Sequence, residues 1–182
     1  MSHFFDLFGM YQQLFRLSHL AAGSQKYAQR KELDLGNDDD AQSDWGTYYI
    51  HIRTAVSNDL IELATKARIA QDAMLDHLEI SDVEEIDRNS IGQKPIGSVV
   101  IGSFDLSIRE SCNKIIHAKK VELSIDQSRN VNPACTYSYW NGHCKLSGTS
   151  QGGKNWEIEL DVFEWCQSMT AFAEQMSQYV EW

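Results

Sequence analysis

Arg109, Asn113 and His117 follow one another at steps of four residues. Each such step turns about 40° around a helix axis. Arg109 therefore borders the face that Ile108, Cys112, Ile115 and Ile116 are expected to bury, while His117 lies nearly opposite Ile108. A guanidinium can hold phosphate charge and an imidazole can carry a proton near neutral pH; Asn113 is their polar companion. Lys114, Lys119 and Lys120 make this short segment locally basic. It is the one place where the charge balance favours a phosphate. The first three residues are the candidate catalytic set and the three lysines the candidate phosphate contacts. A plainer reading competes with this one. Arg109 can pair with an acidic residue of the preceding long helix, such as Asp59, Glu62 or Asp72, leaving Asn113 bonded to a loop and His117 on the surface.

Other constellations carry less. Cys112, Cys135, Cys144 and Cys166 are scattered, with no Cys-x-x-Cys spacing, and read as reduced, mostly buried thiols. Cys112 and His117 are five apart and point away from each other on a helix, with no third group to orient them. Cys135, His143, Cys144 and Cys166 lack the spacing of a zinc site, so no metal and no cofactor is expected. Gly148 to Gly153 lies between expected strands and not before a helix, unlike a phosphate loop. Tyr137, Tyr139, Trp140 and Trp156 have the character of a base-stacking platform. One face of a sheet packed on a helix accounts for them better.

The elements that must position these groups are mostly helical. Phe4, Leu7, Phe8, Tyr11, Leu14, Phe15 and Leu17 define an aromatic-rich helix over 4–22, with Gly23 as its stop. Residues 31–44 carry Gly36, Asn37 and an acidic run, and read as a loop. From Trp45 to Leu78 apolar residues alternate steps of three and four, which describes one long helix capped by Ser43 or Asp44. A helix of that length must pack against others, so a bundle is expected. Residues 79–95 read as a loop with a short helix, and 96–101 as a strand or buried linker. Ser107 and Glu110 form a capping box that starts the helix of the candidate site. From Val121 the period becomes two. Three strands are expected around Val121–Ile125, Cys135–Trp140 and Trp156–Leu160, with Asn141-Gly142 as a hairpin turn returning His143–Ser147 as a fourth. Asp161 and Glu164 cap a last helix whose inner face is Phe163, Cys166, Thr170, Phe172, Ala173 and Met176.

The expectation is a mainly α fold: a helical bundle with a small antiparallel β-meander before the C-terminal helix. It forms a single domain over 1–182, with 1–120 helical, 121–161 the meander and 162–182 the last helix. A hydrophobic share of 42% and a charged share of 23% suit a chain of 182 residues with a real core. Asp6, Gln12 and Gln13 break the apolar start, so a signal peptide is not expected. Nor does any apolar run approach the ~20 residues that span a bilayer. A cytoplasmic protein without membrane contact follows. The net charge of −10 opposes nucleic acid at long range, because phosphate contacts supply most of the affinity of such binders. An acidic surface suits solubility or a basic protein partner.

The stretch Ile108-Arg-Glu-Ser-Cys-Asn-Lys-Ile-Ile-His-Ala118 resembles the motif helix of HEPN-type bacterial proteins, small helical bundles that include ribonuclease toxins and phage-defence effectors. The resemblance covers about a dozen residues and the long helix before them. Seven residues separate Arg109 from His117, where the family usually has four to six. It implies metal-independent RNA cleavage at a site shared by a homodimer, within a defence or toxin–antitoxin system whose antitoxin or other subunit is the protein partner. Arg109 would then stabilise phosphate charge, and His117 would handle a proton or orient the 2′-hydroxyl. The expectation from the other class is a non-catalytic interaction or regulatory subunit, in keeping with the acidic surface and the aromatic first helix.

Overall fold

The computed structural model describes residues 6–34, 43–130 and 136–179. Among them lie five helices and one four-stranded antiparallel sheet. The fold is thus mixed α/β, helix-rich with a small meander, and not a pure bundle. The helices are α1 (Leu7–Lys31), α2 (Asp44–Met74), α3 (Ile80–Ser90), α4 (Ile108–His117) and α5 (Val162–Met176). The strands are β1 (Gly97–Ile101), β2 (Lys120–Arg129), β3 (Thr136–Thr149) and β4 (Asn155–Asp161), in the order β1-β4-β3-β2. β2, β3 and β4 form the expected meander, while β1 comes from before α4 and closes the far edge against β4. The run from 96 to 101 is therefore a sheet strand, not a linker.

α2 follows its apolar seam as far as Met74, and Leu78 lies beyond it in the connection to α3. Ser43 accepts a hydrogen bond from the Gly46 amide, and Ile52, Val56, Leu60, Leu63, Ala67, Ala70 and Met74 are buried. Each large aliphatic among them contributes roughly 1.5–3 kcal/mol on burial. α1 lies antiparallel to it, as three cross-links show. The Arg16 guanidinium grips the buried Asp59 carboxylate, Lys66 Nζ donates to Gln13 Oε1 at 2.9 Å, and Ser24 bonds the Tyr48 hydroxyl. Asp59 is thus engaged by α1, and not by Arg109. α4 packs on α2, and its Ser111 Oγ accepts the Trp165 indole N–H of α5 at 2.9 Å in the interior.

Two expectations fail for physical reasons. Gly23 does not stop α1, which continues to Lys31 and ends with Glu32 in the left-handed region. Ser24 and Ala28 remain on the buried side beyond the glycine, so continued packing outweighs its backbone entropy. Phe8 and Phe15, read as part of the packed stripe, are exposed at 71% and 66%, while Met10, Leu14, Leu17 and Ala21 form the buried face. Phe4 lies outside the described residues.

Asn141-Gly142 is not a hairpin turn. β3 passes through it as one strand, and the register against β2 jumps from Leu123↔Cys144 to Ile125↔Trp140. The extra residues form a bulge in which Gly142 takes φ +89, Asn141 Oδ1 accepts from the His143 amide at 3.0 Å, and Trp140 Nε1 donates to the His143 carbonyl at 2.7 Å. Asn-Gly signals positive φ, which a bulge requires as a turn does. Trp140, Cys144 and Leu146 of β3 join Trp156, Ile158 and Leu160 of β4 in the core. Tyr137 is buried in a smaller cluster with Ala28, Leu33 and Trp45. Three of the four aromatics weighed as a stacking platform (Tyr137, Trp140 and Trp156) are therefore packing residues.

Asp161 caps α5 through the Glu164 amide as expected. Its inner face also uses Val162, Trp165 and Met169, whereas Phe163 is 38% exposed.

A Cβ built on Gly23 meets no atom within 4 Å. Gly23→Ala should therefore stabilise the protein by about 0.5–1 kcal/mol, read as a raised midpoint in urea or thermal denaturation. An unchanged or lowered midpoint would show that glycine is needed there for the fold.

Candidate functional site

Ser107 caps α4 by accepting from the Glu110 amide at 3.1 Å. The two preceding amides are taken by a residue from another element. Asp87, buried on α3, accepts from Ile108 N through Oδ1 at 2.7 Å and from Arg109 N through Oδ2 at 2.8 Å. Helix N-termini attract anions because their first amides lack partners. Here a resident carboxylate fills that position. Desolvation pushes the Asp87 carboxyl above its ordinary value, and the amide bonds, Ser107 and the Arg109 charge offset only part of that rise.

The stripe on α4 does not converge within one chain. The Arg109 guanidinium reaches Asp72 Oδ1 at 3.4 Å, one of the three carboxylates considered for it. Arg68 meets the same oxygen at 3.4 Å, so two guanidinium groups share one carboxylate. Both partners of the Arg109 pair are well exposed, which limits its strength to about 0–1 kcal/mol. Asn113 donates to Glu110 Oε2 at 3.3 Å, one turn back on its own helix. His117 is exposed at the last position of α4. Eight residues of rise separate it from Arg109, roughly 12 Å along the axis.

The lysines are engaged as well. Lys114 pairs with Glu110 at 2.8 Å and lies over the Phe104 and Trp156 rings, with only 14% of its side chain exposed. Lys120 pairs with Glu122 at 2.8 Å, and Lys119 donates to Thr149 Oγ1 at 3.1 Å.

Nucleophilic chemistry finds no purchase on the described thiols. Cys112, Cys144 and Cys166 are free and buried. Burial pushes the Cys112 and Cys144 thiols up to about 12 and raises that of Cys166 as well. Since the thiolate is the nucleophile, these groups are inert near neutrality. His143 Nε2 lies 3.8 Å from Asp161 Oδ2, but its neighbour Cys144 is one of the buried thiols. Among the described residues no three His, Cys, Asp or Glu side chains gather in metal-binding geometry. Cys135 lies outside the described residues.

Sequence reasoning missed the cavity between α1 and α2, which is lined by His19, Gly23, Tyr27, Tyr48 and His51 among others. Its one trace in the sequence is a glycine inside a helix whose buried face continues past it.

No family model, no curated protein and no solved structure matches the chain. No helix among the described residues is long and apolar enough to cross a membrane.

Replacing Asp87 with Asn leaves one α4 amide without a carboxylate acceptor and should cost about 1–3 kcal/mol. The sign of its pH dependence follows from the raised carboxyl. That contribution is complete below the unfolded value near 3.8 and is lost as pH rises through the folded one. Urea titrations should show a larger deficit for Asp87→Asn at about pH 3 than at about pH 7. A deficit that grows with pH would contradict this account.

A disulfide-exchange titration of the native protein should leave Cys112, Cys144 and Cys166 unmodified until denaturant is added. Rapid native labelling of any of the three, located by peptide mass, would disprove their inertness.

Proposed function

We propose that the chain is a non-catalytic interaction module that docks a basic, amphipathic protein segment. The observation that carries this reading is the corner where α2 meets α3. From Ile69 to Asp87 the sequence contains no lysine or arginine, while Asp76, Glu79, Asp82, Glu84 and Glu85 are all exposed. Among them stand two uncovered apolar side chains, Leu75 at 39% and Ile80 at 67% exposure. Carboxylates around an apolar anchor fit a partner with the opposite pattern. Charge then steers the encounter, and burial of the anchor holds the complex. The cations of α4 add little to an opposing field, since Arg109 and Lys114 are already paired inside the chain.

The ribonuclease reading implied by the resemblance of α4 to the HEPN motif helix is supported by one feature. His117 and the Arg109–Asp72 pair are both exposed, so two copies related by a two-fold axis are able to bring them together. A defence or toxin–antitoxin role belongs with that reading.

One experiment separates the two. A synthetic lysine- and leucine-rich amphipathic helix, followed by fluorescence anisotropy, should bind the wild-type protein. Its affinity should fall about tenfold or more from low to physiological salt, and the double variant Glu84→Lys, Glu85→Lys should lose it. RNA incubated with the protein in chelator should stay intact. Absence of peptide binding, together with RNA cleavage that His117→Ala removes, would overturn the interaction reading in favour of the nuclease.

A further inference from the structure

A cavity of about 570 Å³ opens between the second half of α1 and the first half of α2. That volume suits a small molecule. Tyr27 and Tyr48 line it as a stacked pair, with centroids 5.8 Å apart and planes inclined by 18°. Tyr48 is held in place because its hydroxyl is bonded to Ser24. Tyr27, half exposed, presents its ring beside it. Leu20 and Ile52 supply apolar lining.

Two imidazoles join these rings, His19 from α1 and His51 from α2. His19 Nδ1 lies 2.8 Å from the Phe15 carbonyl, and the Phe15 ring backs the imidazole at 4.0 Å. A carbonyl accepts only, so the bond puts a proton on Nδ1. In the neutral ring Nε2 is then the acceptor.

Gly23 supplies an independent observation. It lines the cavity in the middle of a 25-residue helix, where glycine is less favourable than alanine. A Cβ there meets nothing within 4 Å, and the residue shows no positive φ. Neither packing nor backbone conformation calls for glycine. What its missing side chain provides is open space in the cavity wall.

We propose that this cavity binds a flat heteroaromatic small molecule bearing a ring N–H. The ring stacks on the Tyr27–Tyr48 wall, and its N–H donates to His19 Nε2. The paired phenol rings select a planar π-system. The acceptor nitrogen selects a donor on that ring, and the volume suits a small molecule. The site is independent of the acidic corner and of α4.

Indole serves as the probe and 1-methylindole as the control without a donor, both followed by titration of the full-length protein in NMR. The His19 and His51 ring resonances should shift on adding indole to the wild-type protein. Indole should bind about tenfold more tightly than 1-methylindole. Gly23→Leu, which projects a branched side chain into the space, should weaken indole binding about tenfold or more. Imidazole resonances that stay fixed at millimolar indole would overturn the proposal without recourse to any variant. So would equal affinity for the two indoles, or undiminished binding by a folded Gly23→Leu protein.

Discussion

The buried carboxylate of Asp87 decides what α4 can be. It leaves α3, enters the interior and accepts the first two amides of α4. A ten-residue helix is too short to hold itself in water. It persists because its N-terminus is tied to α3, its Ile108, Cys112 and Ile115 side chains are buried, and Ser111 bonds Trp165. The same tie settles the electrostatics. Free amides at a helix start are the natural seat of a phosphate, and here the Asp87 carboxyl already occupies that seat. Arg109, at the same end, faces Asp72. The end of the helix that would attract RNA is thus compensated from within, whereas the α2–α3 corner keeps its carboxylates toward solvent.

Much of this was legible from residue patterns and some of it could not have been. The seam of α2 is built only from steps of three and four over some thirty residues, a spacing that a helix gathers on one face. Ser107 and Asp161 each announced a helix start and each caps one. The polar stripe was a weaker guide. A spacing of four describes a face, but it does not say whether the groups on that face meet one another or find partners elsewhere. Asp72, Asp87 and Glu110 decide that question, and only the packing of α2 and α3 against α4 brings the first two near. The notion that Arg109 pairs with a carboxylate of α2 was sound chemistry with three candidates. Asp59 was removed from contention by Arg16, a residue more than forty positions away.

The two misread glycines share a cause. Gly23 and Gly142 each permit a break, and neither makes one. At Gly23 the helix continues because buried positions lie on both sides of it. At Gly142 the strand continues because Trp140 on one side and Cys144 on the other both point into the core, and a bulge keeps both inside. Local sequence states what conformations are allowed. Burial on both flanks determines which of them is used, and that information is non-local.

α2 joins the two surfaces proposed for binding. The cavity borders its first turns, around Thr47 to Ala55, and the acidic corner follows its last, from Asp72. At 1.5 Å per residue, His51 and Leu75 stand about 35 Å apart. Charges that far apart are screened well beyond a Debye length of roughly 8 Å, so the net charge at one end does not tune the other directly. Coupling would need α2 to shift against α1 as a body. The Arg16–Asp59 pair and the Lys66–Gln13 bond lie between the two surfaces and resist that movement. The Asp59 carboxylate is buried although Arg16 is exposed, so such a shift would strand a desolvated charge without its partner. The two surfaces should therefore act separately, with α2 as their common strut.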